Sequence, residues 1–231
     1  RGPLQYDSGM RFLLEFDGPV FDVAAAQHAA HRESAAAVGW SSLDAATFRR
    51  VTRSKGREAD VLPGARDGKV GEYHRRFEEL VESDACITRL EPHSGVDELL
   101  VKLARSGLCH FVTLGSNRSA RATLLQRHGL SRFAGGIEAL NADPRRRPAE
   151  LRVLSGNDER TLVVAGGDTL ARSASLAELF VVGITNGPCS ADRLHRAGAA
   201  VVYKTLDDLL ESLGSGAADL VRAGWHPAPL P

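Results

Sequence analysis

Glu15 and Asp17 close a short apolar run, Phe12 to Leu14, within the segment Leu13-Leu14-Glu15-Phe16-Asp17-Gly18-Pro19-Val20. Side chains alternate along a strand, so acids two residues apart project to the same side. Paired carboxylates suit two chemistries: holding a hard cation against a phosphate, or supplying a nucleophile with an acid/base beside it. A second polar group ends the run Cys109 to Thr113, where Thr113 leads into Leu114-Gly115-Ser116-Asn117-Arg118. A hydroxyl at a strand end, followed by the free N–H groups of a helix start, makes a place for an anion. Ser116 or Asn117 acting only as a helix cap is the alternative at this position. A third acid, Asp168, follows Gly166-Gly167 after the run Thr161 to Ala165.

These groups can act together only if their strands lie side by side. The three runs, with Phe180 to Ile184 and Ala199 to Val202, are short and mostly apolar, as strands buried on both faces should be. Helical patterns separate them: Gly95 to Arg105, Ser119 to His128 closed by Gly129, Leu170 to Leu179, Asp192 to Ala197 and Leu206 to Leu213. The alternation predicts an α/β chain with a Rossmann-like parallel sheet and helices on both faces. Gly18 and Pro19 turn the chain where ligands bind in such sheets, at the carboxyl ends of strands. Between the first and second runs the chain reads as helix without strand, over Asp22 to Val38, Asp44 to Arg53 and Asp67 to Val81. That is too much helix for one crossover. The expected organisation is a tail over 1–10, a core over 11–21 and 91–213, an inserted helical subdomain over 22–90, and a loose tail over 214–231. Met10 stands before the first strand and could be the native start.

The segment ending in Asp17-Gly18 resembles the first motif of the haloacid dehalogenase superfamily, Asp-x-Asp-Gly-Thr-Leu after an apolar strand. The resemblance covers about residues 11 to 213. It implies phosphotransfer chemistry, with Glu15 in the place of the nucleophile and metal ligand and Asp17 as acid/base. Thr113, or Ser116 in its stead, matches the second motif, which holds the phosphoryl group. Arg147 before Pro148 stands where the third motif has a lysine. Gly167-Asp168 matches the fourth, Gly-Asp-x-x-x-Asp, whose second acid falls on Arg172. The implied metal is magnesium, held by Glu15, Asp17 and Asp168. The insertion resembles the small helical cap of the phosphoglycolate phosphatase and β-phosphoglucomutase group, in which cap residues placed like Arg53 and Lys55 reach the substrate.

Four positions depart from the family pattern: Glu15, Pro19, Arg147 and Arg172. A glutamate moves the attacking oxygen by around an ångström, and a misplacement on that scale can cost ~100-fold. A cation beside a metal site opposes the metal by ~4 kcal/mol at ~4 Å and an effective dielectric near 20. The expectation is therefore a degraded phosphatase site that retains binding of a small phosphorylated metabolite, with Arg172 pairing to Asp168 or Asp17 in place of the metal. A working magnesium-dependent phosphatase or phosphohexomutase is the alternative, and a non-catalytic interaction module a third. Composition narrows the partners. The chain has 231 residues and balanced charge, 29 basic against 29 acidic, which argues against nucleic acid or an anionic membrane as partner. No apolar run approaches ~18 residues. Three widely spaced cysteines, Cys86, Cys109 and Cys189, suggest buried thiols and a cytoplasmic home.

Overall fold

The structure, a computed structural model, describes residues 10–54, 68–156 and 160–225. The first strand, β1 (Met10–Glu15), is followed by β2 (Phe21–Asp22), then by helices α1 (Ala24–Ala37), α2 (Ala45–Arg53), α3 (Val70–Val81) and α4 (Asp84–Ile87). The chain returns through β3 (Glu91–Pro92) and α5 (Val96–Ser106) to β4 (Gly107–Thr113), α6 (Arg118–Arg127) and β5 (Ala134–Ala139). It continues as α7 (Arg147–Ser155), β6 (Leu162–Ala165), α8 (Asp168–Leu176), β7 (Phe180–Ile184), α9 (Ala191–Arg196), β8 (Val201–Tyr203), α10 (Leu206–Gly214) and α11 (Ala218–Arg222).

Six strands form one parallel sheet in the order β5-β4-β1-β6-β7-β8. The central strand is buried on both faces, and its alternation divides the core. Phe12 and Leu14 join the cluster containing α5, α6 and α10, while Leu13 joins the one containing α7, α8 and α9. Each fully buried side chain of this size contributes roughly 1.5–3 kcal/mol relative to exposure. The predicted α/β sheet is thus the observed one, with three differences. Met10 lies inside β1 and is buried, so the strand begins earlier than the sequence suggests. β5 was not predicted: Ala134-Gly135-Gly136-Ile137-Glu138-Ala139 has one large apolar residue, because an edge strand needs little apolar surface. The segment after Gly214 is not a loose tail as far as residue 225. Leu220 of α11 and Trp225 lie in the main cluster and are buried, and the Tyr203 hydroxyl joins Ser212 and Asp219.

Short β2 and β3 pair antiparallel, so the chain leaves the core and re-enters it through one two-stranded ribbon. The described residues of the segment between them form helices α1 to α4. Asp44 caps α2, accepting from the Thr47 N–H at 2.9 Å. Ala35, Val38, Trp40 and Tyr73 make a small core between α1 and α3, and buried His31 fastens it. His31 Nε2 accepts the Leu43 N–H at 2.8 Å, which leaves the proton on Nδ1 to donate to the Tyr73 hydroxyl at 2.7 Å. Burial, helped by His28, pushes the His31 pKa down to about 4. Below the usual histidine pKa of ~6.5 the unfolded chain takes up a proton that the folded one refuses, so stability should fall as pH drops from about 6.5 to 4. Thermal melts at pH 7.5 and 4.5 should show this loss, up to ~3 kcal/mol, and His31→Gln should reduce it. Among the described residues no helix is long and apolar enough to cross a membrane.

Candidate active site

The sheet order brings the ends of β4, β1 and β6 together in that sequence, and with them Thr113, Glu15, Asp17 and Asp168. Phe16 continues the ladder, donating its N–H to Val112 O at 2.8 Å, and the Phe21 N–H bonds back to Phe16 O at 3.0 Å. This tight return fixes Asp17 above the sheet. Gly18 takes a positive φ of 109°, and Pro19 packs into the space a Cβ on Gly166 would need, its Cδ lying 2.7 Å from that point. The departure at Pro19 is therefore accommodated by a glycine of the neighbouring strand end.

The two acids lean to opposite neighbours. Glu15 is buried, and its Oε2 accepts the N–H groups of Gly166 and Gly167 at 2.7 and 2.8 Å. Burial pushes its pKa up to about 7; the two N–H bonds pull it down, and the charges of Asp17 and Asp168 add to the rise. Near neutrality Glu15 is thus part protonated, a poor state for a nucleophile or a cation ligand. Asp17 turns toward β4. Thr113 donates its hydroxyl to Asp17 Oδ2 at 2.6 Å and accepts the Gly115 N–H at 2.9 Å. Thr113 thus orients Asp17, and both of its hydrogen-bonding roles are in use.

The principal cation on Asp17 is Arg121, which the sequence reading did not identify. Arg121 is buried and lies on the inner face of α6 with Ala120, Leu124 and Leu125. Its Nε and Nη2 bond to Asp17 at 3.1–3.2 Å, while Nη1 and Nη2 bond to the Glu82 carboxylate at 2.9 Å. Phe16 lies under the guanidinium, 5.8 Å from Cζ to the ring centroid. A Cβ on Gly115 would meet Arg121 Nη2 at 2.3 Å, so the glycine makes room for the cation. Burial acts to lower the Arg121 pKa; the Glu82 and Asp17 carboxylates outweigh it and raise it. Burial likewise acts to raise the Glu82 pKa, but the bonds from Arg121 and from the Asn117 N–H leave it lowered.

Glu82 follows α3 in the insertion and also reaches the start of α6. Its Oε2 accepts the Asn117 N–H at 2.9 Å and the Ser116 hydroxyl at 3.3 Å. At the loop where the sequence suggests an anion place, the donors are taken by a carboxylate of the same chain. Asn117 also caps α6, accepting the Ala120 N–H at 3.1 Å.

Asp168 ends β6 at the start of α8. Arg193 of α9 approaches its Oδ2 at 2.8 Å, and the buried Cys189 thiol stands against Oδ1. Burial would raise the Asp168 pKa, but the Arg193 hydrogen bond and charge, with smaller help from Cys189 and Arg172, leave it lowered. The expected partner, Arg172, is exposed; the guanidinium bonded to Asp168 belongs to Arg193 and that on Asp17 to Arg121. Arg172 points outward because the buried positions of its helix are Leu170, Ala171, Ser173 and Ala174. Nor is Arg147 turned to the site. Its Nε and Nη2 donate to Asn141 O and Ala142 O at 2.7 and 2.8 Å, clamping its own loop. Arg53 lines a separate cavity of about 290 Å³ between α1, α2 and the loop Asn186-Gly187-Pro188. Lys55 lies outside the described residues.

The donor set can be tested against magnesium directly. Magnesium asks for oxygen ligands at near-octahedral geometry, with one or two carboxylates free to approach it. Here Glu15 is bound to two N–H groups, Asp17 to Arg121 and Thr113, and Asp168 to Arg193. Among the described residues no three acids, histidines or cysteines converge as a metal site. The residues present do not fit the ion in this arrangement.

The whole architecture is found in known proteins. A haloacid dehalogenase-like hydrolase from Streptococcus pneumoniae superposes with a TM-score of 0.69 at 15% identity, over 88% of this chain and 97% of that one. A predicted phosphatase from Clostridium acetobutylicum gives 0.67 at 16% identity, over 89% and 98%. A curated phosphoglycolate phosphatase of Mesorhizobium japonicum is 24% identical over 226 residues, 93% of this chain and 97% of that protein. No family model matches. The fold is the one these solved structures share.

Proposed function

We propose that this chain is a haloacid dehalogenase-fold protein whose phosphatase site has lost its chemistry and which binds a small phosphorylated metabolite. The observation that carries the reading is the engagement of all three motif carboxylates by groups of the chain itself, two of them by guanidiniums. Arg121 and Arg193 supply charge where the family has a divalent cation, but they offer no open coordination position. The helical insertion serves as the cap. The ligand is placed in the 290 Å³ cavity beneath it, where Arg49 and Arg53 of α2 provide guanidiniums suited to a phosphate. Asn186 lines the same cavity.

The competing reading, a magnesium-dependent phosphatase or phosphohexomutase with Glu15 as nucleophile and Asp17 as acid/base, draws on the Mesorhizobium relative's activity. One assay separates the two. Hydrolysis of p-nitrophenyl phosphate in millimolar magnesium is measured for the native chain, Glu15→Asp and Asp17→Asn. We expect all three to be equally silent, since restoring the family's aspartate leaves both arginines in place. Turnover by the native chain above Asp17→Asn would overturn the proposal. Binding is read by thermal shift against small phosphomonoesters, where Arg53→Ala should abolish any stabilisation.

A further inference from the structure

Arg121 and Arg193 each make a second bond, and both second bonds end in the helical insertion. Arg121, on core helix α6, runs from Asp17 to Glu82 directly after α3. Arg193, on core helix α9, runs from Asp168 to the backbone carbonyl of Thr52 in α2, through Nη1. The two lie on either side of β1, one beyond β4 and one beyond β6. The side chains of Arg121 and Arg193 are only 4% and 14% exposed, and the carboxylates they hold about a quarter. These contacts are thus largely shielded from water, where charge-assisted bonds are strong. Glu82 O and Asp84 add bonds from Asn117 Nδ2, at 2.9 and 2.7 Å, on the Arg121 side.

We infer that Arg121 and Arg193 are a pair of clasps that fasten the insertion to the core, with the two metal-motif aspartates as their anchors. In a working relative these aspartates would face the ion; here they hold the cations that hold the cap. The insertion stays seated with neither metal nor ligand. A divalent cation and the clasps compete for the same two carboxylates, so occupation by one excludes the other. This inference rests on the reading that Asp17 and Asp168 are committed to arginines, and the test separates the two.

The test is hydrogen exchange of the full chain, resolved by segment. Glu82→Gln removes the charge and one acceptor at the insertion end of one clasp and leaves the Asp17–Arg121 pair intact. Exchange over 70–90 should accelerate about ten-fold while β1 and β4 keep their protection. Arg193→Met should do the same over 45–54. Unchanged exchange in the insertion of Glu82→Gln, or equal acceleration in the sheet, would overturn the clasp. Adding millimolar magnesium to the native chain provides the second reading. No change in exchange agrees with both proposals. Acceleration confined to the insertion supports the clasp while overturning the claim that the site excludes the metal.

Discussion

Replacing Arg121 by methionine should destabilise the protein by about 3–5 kcal/mol, the range found when one partner of a buried ion network is removed. Methionine keeps the apolar stem over Phe16, so packing is largely retained and the loss is electrostatic. Asp17 would keep only the Thr113 hydroxyl, and Glu82 only Asn117 and Ser116. The size of the effect comes from these two stranded carboxylates. A double variant, Arg121→Met with Glu82→Gln, should recover part of the loss, and denaturant melts of the single and double variants would measure that coupling. Equal stability of Arg121→Met and the native chain would show that the network contributes nothing.

Glu15→Gln should act in the opposite direction, and only at high pH. The folded carboxyl titrates at about 7, above its ordinary 4.5. Between those values the unfolded chain releases a proton that the folded chain keeps, so folding becomes less favourable as pH rises through this window. Above pH 7 the cost is fully present, on the order of 3 kcal/mol at ~1.4 kcal/mol per unit. Glutamine preserves an oxygen for the Gly166 and Gly167 N–H groups and removes the charge. The variant should match the native chain at pH 4.5 and exceed it at pH 8.5, read by melting at both. A variant less stable than the native chain at pH 8.5 would mean that the ionised carboxylate is favourable where it sits.

Much of the sheet is legible because strands buried on both faces must be apolar throughout, as in Leu162 to Ala165 and Phe180 to Ile184. The insertion's helices were legible as a long stretch without any strand-like apolar run. β5 escaped notice because an edge strand with two glycines carries no such run. The site was half legible. Glu15, Asp17, Thr113 and Asp168 sit at strand ends, where local sequence marks position. Arg121 and Arg193 sit on helices far along the chain from the acids they neutralise, and no spacing rule links them. One clue was available: Arg121 occupies an inward position beside Leu124 and Leu125, where an arginine needs a partner. Glu82 offered none, since its role depends on how the insertion is seated.

The two-stranded ribbon of Phe21–Asp22 and Glu91–Pro92 bears on how such a chain can change over generations. Because the exit and return of the chain are already joined there, the segment beyond can be lengthened, shortened or exchanged without altering the register of β1 against β4. That freedom is ordinarily what makes an inserted segment a source of novelty. Here the exchange would carry off Glu82 and the Thr52 carbonyl and leave the guanidiniums of Arg121 and Arg193 short of partners. Replacement of the insertion is thus tolerated by the backbone and opposed by the side chains, and a lineage that has taken this path is held to the accessory segment it has.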